Sequence, residues 1–147
     1  MTLKEKLNDA MKAAMKARDD LRLSAVRMVR SAVKNREIEQ KKDLDDQGVL
    51  EVVTTLVKQR RESIRMYQEG NRPELAEKEN AELNVLLGFL PAQMDTDQIE
   101  ELVSRVIRDI DAQGAKDMGR VMKAVTPLTS GKADGKIVSD IVRKKLA

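Results

Sequence analysis

Three observations predict an all-α, multihelical fold for this chain of 147 residues. Apolar residues recur at helical spacing along most of its length, as in Leu83, Leu86, Leu87 and Leu90, which stand at i, i+3, i+4 and i+7. Ala, Leu, Lys, Glu, Arg and Val are abundant, with only 7 Gly and 3 Pro. Residues that cap helices stand just ahead of several apolar stripes. The pattern divides into an N-terminal bundle over residues 1–92, of about four helices, and a small C-terminal three-helix unit over residues 93–147. Pro91–Met94 reads as the hinge between them, because proline ends a helix and restricts the residue before it.

The first helix is expected over Thr2–Ala17, with Thr2 and Glu5 as a capping box and Leu3, Leu7, Met11, Ala14 and Met15 as its apolar face. Asp19 or Asp20 caps the second, whose buried stripe is Leu21, Ala25, Met28, Val29, Ala32 and Val33. Glu37–Gln47 is nearly all polar. It reads as an exposed helical extension, or as a loop ending at Gly48. The third helix is Val49–Glu69. Its run of β-branched residues at Val52–Thr55 would suit a strand, but helical spacing carried on to Tyr67 outweighs it. Gly70–Pro73 is a turn with a proline at the first helical position, and the fourth helix runs from Pro73 to about Leu90. In the second unit Asp95 caps a stripe from Ile99 to Ile110, which Gly114 ends. Asp117 caps a short helix stopped by Pro127, and Asp134 caps the last.

Composition removes several chemistries. The chain has no Cys and no His. Disulfides, thiolate and imidazole metal sites, and Ser-His or Cys-His nucleophile pairs are therefore excluded. Aromatic residues make up 1% of the sequence, so few rings are present to stack on bases. With 28 basic and 25 acidic residues, the net charge of +3 permits local basic patches but not a bulk polycation. No run is long and apolar enough to span a bilayer, so no membrane partner is expected. The charged N-terminus does not look like a secretory signal, and a cytoplasmic protein is expected.

Two basic rows stand out. Arg27, Arg30, Lys34 and Lys41 are spaced 3, 4 and 7 apart. On one helix they fall within about 60° of each other, opposite the apolar stripe. Lys58, Arg61 and Arg65 form a second row on the third helix. Such rows can meet phosphates along a nucleic-acid backbone. They also read as solvated faces, with Glu37 and Glu62 diluting the charge. Arg60 and Glu79 differ, because each falls inside the apolar stripe of its own helix. Since those helices are joined by a short turn, a buried or half-buried Arg60–Glu79 ion pair is predicted, with Glu82 as the second choice.

The acidic cluster Asp43, Asp45 and Asp46 lacks the Gly and the bidentate Glu of a calcium loop, and Asp95 with Asp97 reads as capping, so no metal site is assigned. Around Gly131 and Lys132, Thr126 and Ala133 stand where a phosphate loop would need Gly and Ser or Thr. That segment reads as an inter-helix turn.

These segments carry a resemblance. Gly119–Ala124 and Gly131–Leu146 resemble the C-terminal tail of the B subunit of the glutamine-dependent aspartyl/glutamyl-tRNA amidotransferase. With Ser31–Glu39, Lys58–Ser63 and Glu79–Pro91, the whole chain is similar to the GatB/YqeY family. The resemblance implies an all-helical two-part protein and a connection to tRNA, which the amidotransferase tail helps to hold. The amidase and kinase-like parts of that enzyme have no counterpart here. The expectation is therefore a non-catalytic module that binds tRNA or a tRNA-dependent enzyme, with no catalytic residue, cofactor or metal, and with a monomer favoured. Phosphates would meet the two basic rows, together with Lys116, Arg120, Lys123 and Lys132 of the tail. A protein–protein adaptor is the alternative reading. An accessory part of a carbon–nitrogen ligase with glutamine as amide donor is the second alternative.

Overall fold

The computed structural model describes Met1–Ala147, and the chain is helical without a strand. It divides into two units, Met1–Leu90 and Pro91–Ala147.

In the first unit α1 spans Leu3–Ala17, and Thr2 and Glu5 form the capping box at its start. The chain turns at Arg18, whose left-handed backbone (φ 55°) returns N–H bonds to Ala14 and Met15. Asp19, not Asp20, caps α2, which runs over Asp20–Gln40. The polar stretch after Lys34 is thus largely helical, and Lys41 ends it in the left-handed conformation. Asp45 then caps α3, Asp46–Glu69, by accepting from the Gly48 N–H. Gly48 therefore lies inside α3 and does not end a loop. Buried Leu44 anchors the connection. Proline at N1 starts α4, Pro73–Leu87.

The fourth helix stops three residues short of the expected Leu90. Gly88, Phe89 and Leu90 donate to Val85, Leu86 and Leu87, bonds spanning three residues that tighten the chain ahead of Pro91. Leu7, Val26, Val29, Val33, Val49, Val53, Val57 and Leu86 fill the core. Leu21, expected in the stripe of α2, is 38% exposed, whereas Val26 is fully buried. The buried face of α2 is rotated toward Ala25, Val26, Val29 and Val33 because α2 packs against α1, α3 and α4.

Arg60 ties three helices of this unit together. Its Nη1 donates to Glu79 Oε2 at 2.9 Å, and its Nη2 lies 3.1 Å from Glu82 Oε2 and 2.8 Å from Met28 Sδ on α2. The three charged side chains are 23%, 18% and 14% exposed, half-buried rather than solvated. The Nε is buried without a partner. A group in that state lowers net stability, so the cluster fixes helix register more than it adds free energy.

The second unit repeats the capping logic. α5, Thr96–Asp109, opens on an Asp95–Gln98 capping box. Gly114, at φ 77°, leads into a 3₁₀ turn over Ala115–Asp117, and α6 follows as Met118–Thr129. Asp117 makes no cap bond into α6. Its Oδ2 instead accepts the N–H of Gln113 behind it. Pro127 does not stop α6, which continues for two residues with the proline exposed. Pro127 removes one donor only, while Thr126 and Thr129 hydroxyls bond back to Met122 and Val125 carbonyls. α7, Gly135–Leu146, is capped by Asp134. Ile99, Val103, Val106, Val121, Val125, Val138 and Val142 make the core. Met94 N–H and the Gln93 amide bond the carbonyls of Lys132 and Gly131, so this stretch is tied to the loop before α7.

Arg60→Met is expected to cost about 2 kcal/mol in urea unfolding, because Glu79 and Glu82 lose their cation while half-buried. R60M/E79Q/E82Q, which removes all three charges together, should recover most of that loss. A single-variant cost no larger than about 0.5 kcal/mol, the level of an exposed pair, would contradict this account.

Candidate nucleic-acid interface

The basic row of α2 does not stand opposite the apolar stripe, as its spacing predicted, but beside it, because the buried face is rotated toward Val26, Val29 and Val33. Arg27, Arg30 and Lys34 each follow a buried valine, namely Val26, Val29 and Val33. One residue is about 100° of helix rotation, so burying the valines sets the cations at the rim of the α1–α2 contact. α1 supplies the other rim in the same way, with Lys4 and Asn8 flanking buried Leu7. The helices run antiparallel: Lys4 pairs with Glu37 near the end of α2, and Met11 Sδ lies 2.8 Å from Arg30 Nη1 further back.

Between the rims lies a groove of about 610 Å³ lined by Lys4, Leu7, Asn8, Arg27, Arg30, Ser31, Val33, Lys34 and Glu37. Four cations and one carboxylate face it. Glu37 is already engaged, since its Oε2 accepts from Lys4 Nζ and from the Leu44 N–H, at 2.7 Å for the latter. Arg27 and Lys34 make neither a hydrogen bond nor an ion pair, and Arg30 has only the thioether of Met11. Three positive charges along one wall therefore make no ion pair, although Lys34 also acts on the Glu37 carboxylate through space.

The hydrogen bond from Lys4 and then that from the Leu44 amide hold Glu37 below its ordinary pKa of 4.5, against the opposing effect of desolvation. Ionised at neutral pH, it serves as a fixed negative stop rather than a proton donor. Asp117 in the second unit is also lowered, from 3.8, first by the Gln113 N–H and then by Arg120, again against desolvation.

The remaining basic residues named from the sequence are not brought into this groove. Lys41 is exposed at the C-cap of α2. Lys58, Arg61 and Arg65 lie on α3, and Arg65 bonds Glu62 at 2.7 Å. Lys116, Lys123 and Lys132 are exposed in the second unit. Arg120 there bonds the Ile110 carbonyl and pairs with Asp117, which commits it to holding the α5–α6 connection. The sequence reading did not name Lys4, Asn8 or Ser31 as site residues. The position of Lys4 and Asn8 on either side of Leu7 was the available signal. A second cavity of about 340 Å³ mixes Arg36 and Lys42 with Asp43, Asp45 and Glu51, a balance that gives no preference for an anion. Asp45 is accounted for as the cap of α3, and Asp46 Oδ1 accepts the Leu3 N–H.

Comparison with known proteins decides the family. The model described as "Yqey-like protein" matches residues 4–146. The chain belongs to the YqeY family. Among its curated YqeY relatives is the yeast protein "Altered inheritance of mitochondria protein 41, mitochondrial". The Lachancea thermotolerans form is 35% identical over 108 residues, covering 71% of this chain and 57% of that protein. The Kluyveromyces lactis form is 37% identical over 103 residues, 69% and 55% of the two chains. The Vanderwaltozyma polyspora form is 32% identical over 123 residues, 81% and 66%. The chain thus spans little more than half the length of the first two of these relatives. Their names also overturn the cytoplasmic expectation, since these relatives are named as mitochondrial proteins. That expectation rested on an N-terminus unlike a secretory signal, a feature that bears on secretion and not on other compartments.

The lowered pKa of Glu37 sets a pH dependence. The folded state holds this proton less tightly than the unfolded chain does. The contribution to stability is therefore full above pH 4.5 and is lost as pH falls below that value. Glu37→Gln should melt at lower temperature than the parent protein near pH 7, and the two melting curves should converge as the pH drops beneath 4.5. A melting-temperature gap that stays constant from pH 7 to pH 3 would contradict the assignment.

Proposed function

We propose that this YqeY chain is a non-catalytic helical module that binds RNA through its phosphates, tRNA being the RNA that resemblance to the amidotransferase tail implies. The single observation that carries the reading is the α1–α2 groove, where Arg27, Arg30 and Lys34 stand in a row and make no ion pair. Unpaired cations at helical spacing attract a polyanion and release its counterions on contact. The chain's other arginines that engage carboxylates, among them Arg60, Arg65 and Arg143, are already neutralised within their own helices or bundle. A catalytic reading is disfavoured by the site's one carboxylate, which is bonded to a lysine and pulled toward the ionised form. An adaptor would be favoured by a contiguous apolar patch. In the second unit Leu128 and Ile137 are the large apolar side chains left exposed, which is ordinary for a protein surface.

Filter binding of bulk tRNA tests the proposal. Three phosphate contacts give a slope of log K against log salt between about −2 and −3, a roughly 20- to 40-fold loss of affinity from 50 to 200 mM salt. No binding at the lower salt, or affinity indifferent to salt, would overturn the reading.

A further inference from the structure

We infer that the α1–α2 groove receives a single strand of RNA lengthwise, its phosphates on Arg27, Arg30 and Lys34, and not the outer surface of a duplex. The inference rests on the RNA-binding reading and narrows it to a strand class. Its first support is the position of the charges. Arg30 is exposed, but its guanidinium reaches toward α1, with Nη1 2.8 Å from Met11 Sδ. Lys4 likewise crosses from α1 to Glu37 on α2. Exposed charges that line the rim of a groove are met by a flexible chain that follows it. A rigid duplex presents its phosphates on a cylinder too wide to follow.

The second support is shape. The lining residues of α2 run from Arg27 to Glu37, about 15 Å of helix. A volume of about 610 Å³ along that length makes an elongated groove that one extended strand can follow. The floor, Leu7 and Val33, is apolar, and Asn8 and Ser31 offer neutral hydrogen-bonding groups between the cations. A ribose-phosphate strand presents the matching alternation of charge, hydroxyl and carbon.

The third support is what the groove lacks. Neither Phe89 nor Tyr67 lines it, so there is no ring on which a base could stack. Binding should follow the backbone and be indifferent to base identity. The Lys4–Glu37 pair closes one end with a fixed carboxylate, which sets where the strand must turn away.

The experiment uses the full chain and fluorescence anisotropy with an oligouridylate of about 12 nucleotides, within the usual range for a single-strand site. The expected salt slope is about −2, three contacts at the single-strand value of 0.7 each. In R27Q/R30Q/K34Q the slope should fall by about 2 units and affinity at 50 mM salt by about tenfold or more. K78Q/K144Q/K145Q removes the same charge elsewhere and should bind as the parent does. Circular dichroism confirms folding, and single variants Arg27→Gln and Lys34→Gln serve if the triple variant is unstable, each lowering the slope by about 0.7.

An RNA duplex of equal length should bind more weakly than the single strand, because its phosphates cannot follow the groove. Equal affinity for the duplex would overturn the strand assignment. So would equal loss in the two triple variants, or displacement of the RNA by polyglutamate at matched charge, which would mark the groove as a site for acidic peptides. Should tRNA binding depend on the groove cations while the duplex binds as well as the single strand, only this inference fails; tRNA binding that the groove variants leave unchanged would overturn the groove reading as well. If no RNA binds, both readings fail.

Discussion

The packing of α1 on α2 through Leu7, Val26, Val29 and Val33 is the constraint from which the rest follows. Those valines are β-branched and lower helix propensity slightly, so α2 owes its stability to burial of this face. Once the face is buried, helical geometry leaves no choice about where Arg27, Arg30 and Lys34 go. They must rim the same interface that the valines fill. Packing and charge display are thus two consequences of one register. A change in that register would disperse the row as well as open the core.

Register is held from the other side of the bundle by Arg60. Its guanidinium reaches two carboxylates on α4 and the sulfur of Met28 on α2. Met28 precedes Val29, so the contact fixes α2 one residue from the core stripe. Hydrophobic contacts alone are weakly directional, and several rotations of α2 would bury similar area. A guanidinium hydrogen-bonded to Glu79 and ion-paired with Glu82 distinguishes between them. The buried, unpartnered Nε shows that this geometry is held at some cost.

Much of the fold was legible because helix caps and stripes are local signals. Thr2 with Glu5 and Asp95 with Gln98 are complete capping boxes within four residues, and both form. The position of Arg60 inside an apolar stripe was legible for a similar reason, since a charge there must find a partner. Boundaries set by competition were less legible. Leu21 fits the periodic pattern of α2 but is left exposed, since burial depends on what other helices cover. Pro127 reads as a stop, yet backbone losses near a helix end facing water are small and hydroxyls from Thr126 and Thr129 take up neighbouring carbonyls. The basic row on α2 was visible in the sequence, whereas Lys4 and Asn8 could be placed beside Leu7 but not opposite that row. They come from another helix, and only the antiparallel pairing brings them opposite. Arg120 shows the reverse case, a candidate for phosphate that the fold spends on Ile110 and Asp117.

The central claim is that the unpaired cations of the α1–α2 groove are the surface that meets RNA. Lysine footprinting by acetylation and mass spectrometry, with and without saturating tRNA, tests it most directly. The account predicts that Lys34 becomes protected when tRNA is bound, while exposed Lys78 and Lys144 react as before. Reactivity of Lys34 unchanged by tRNA, with protection appearing only elsewhere, would contradict it.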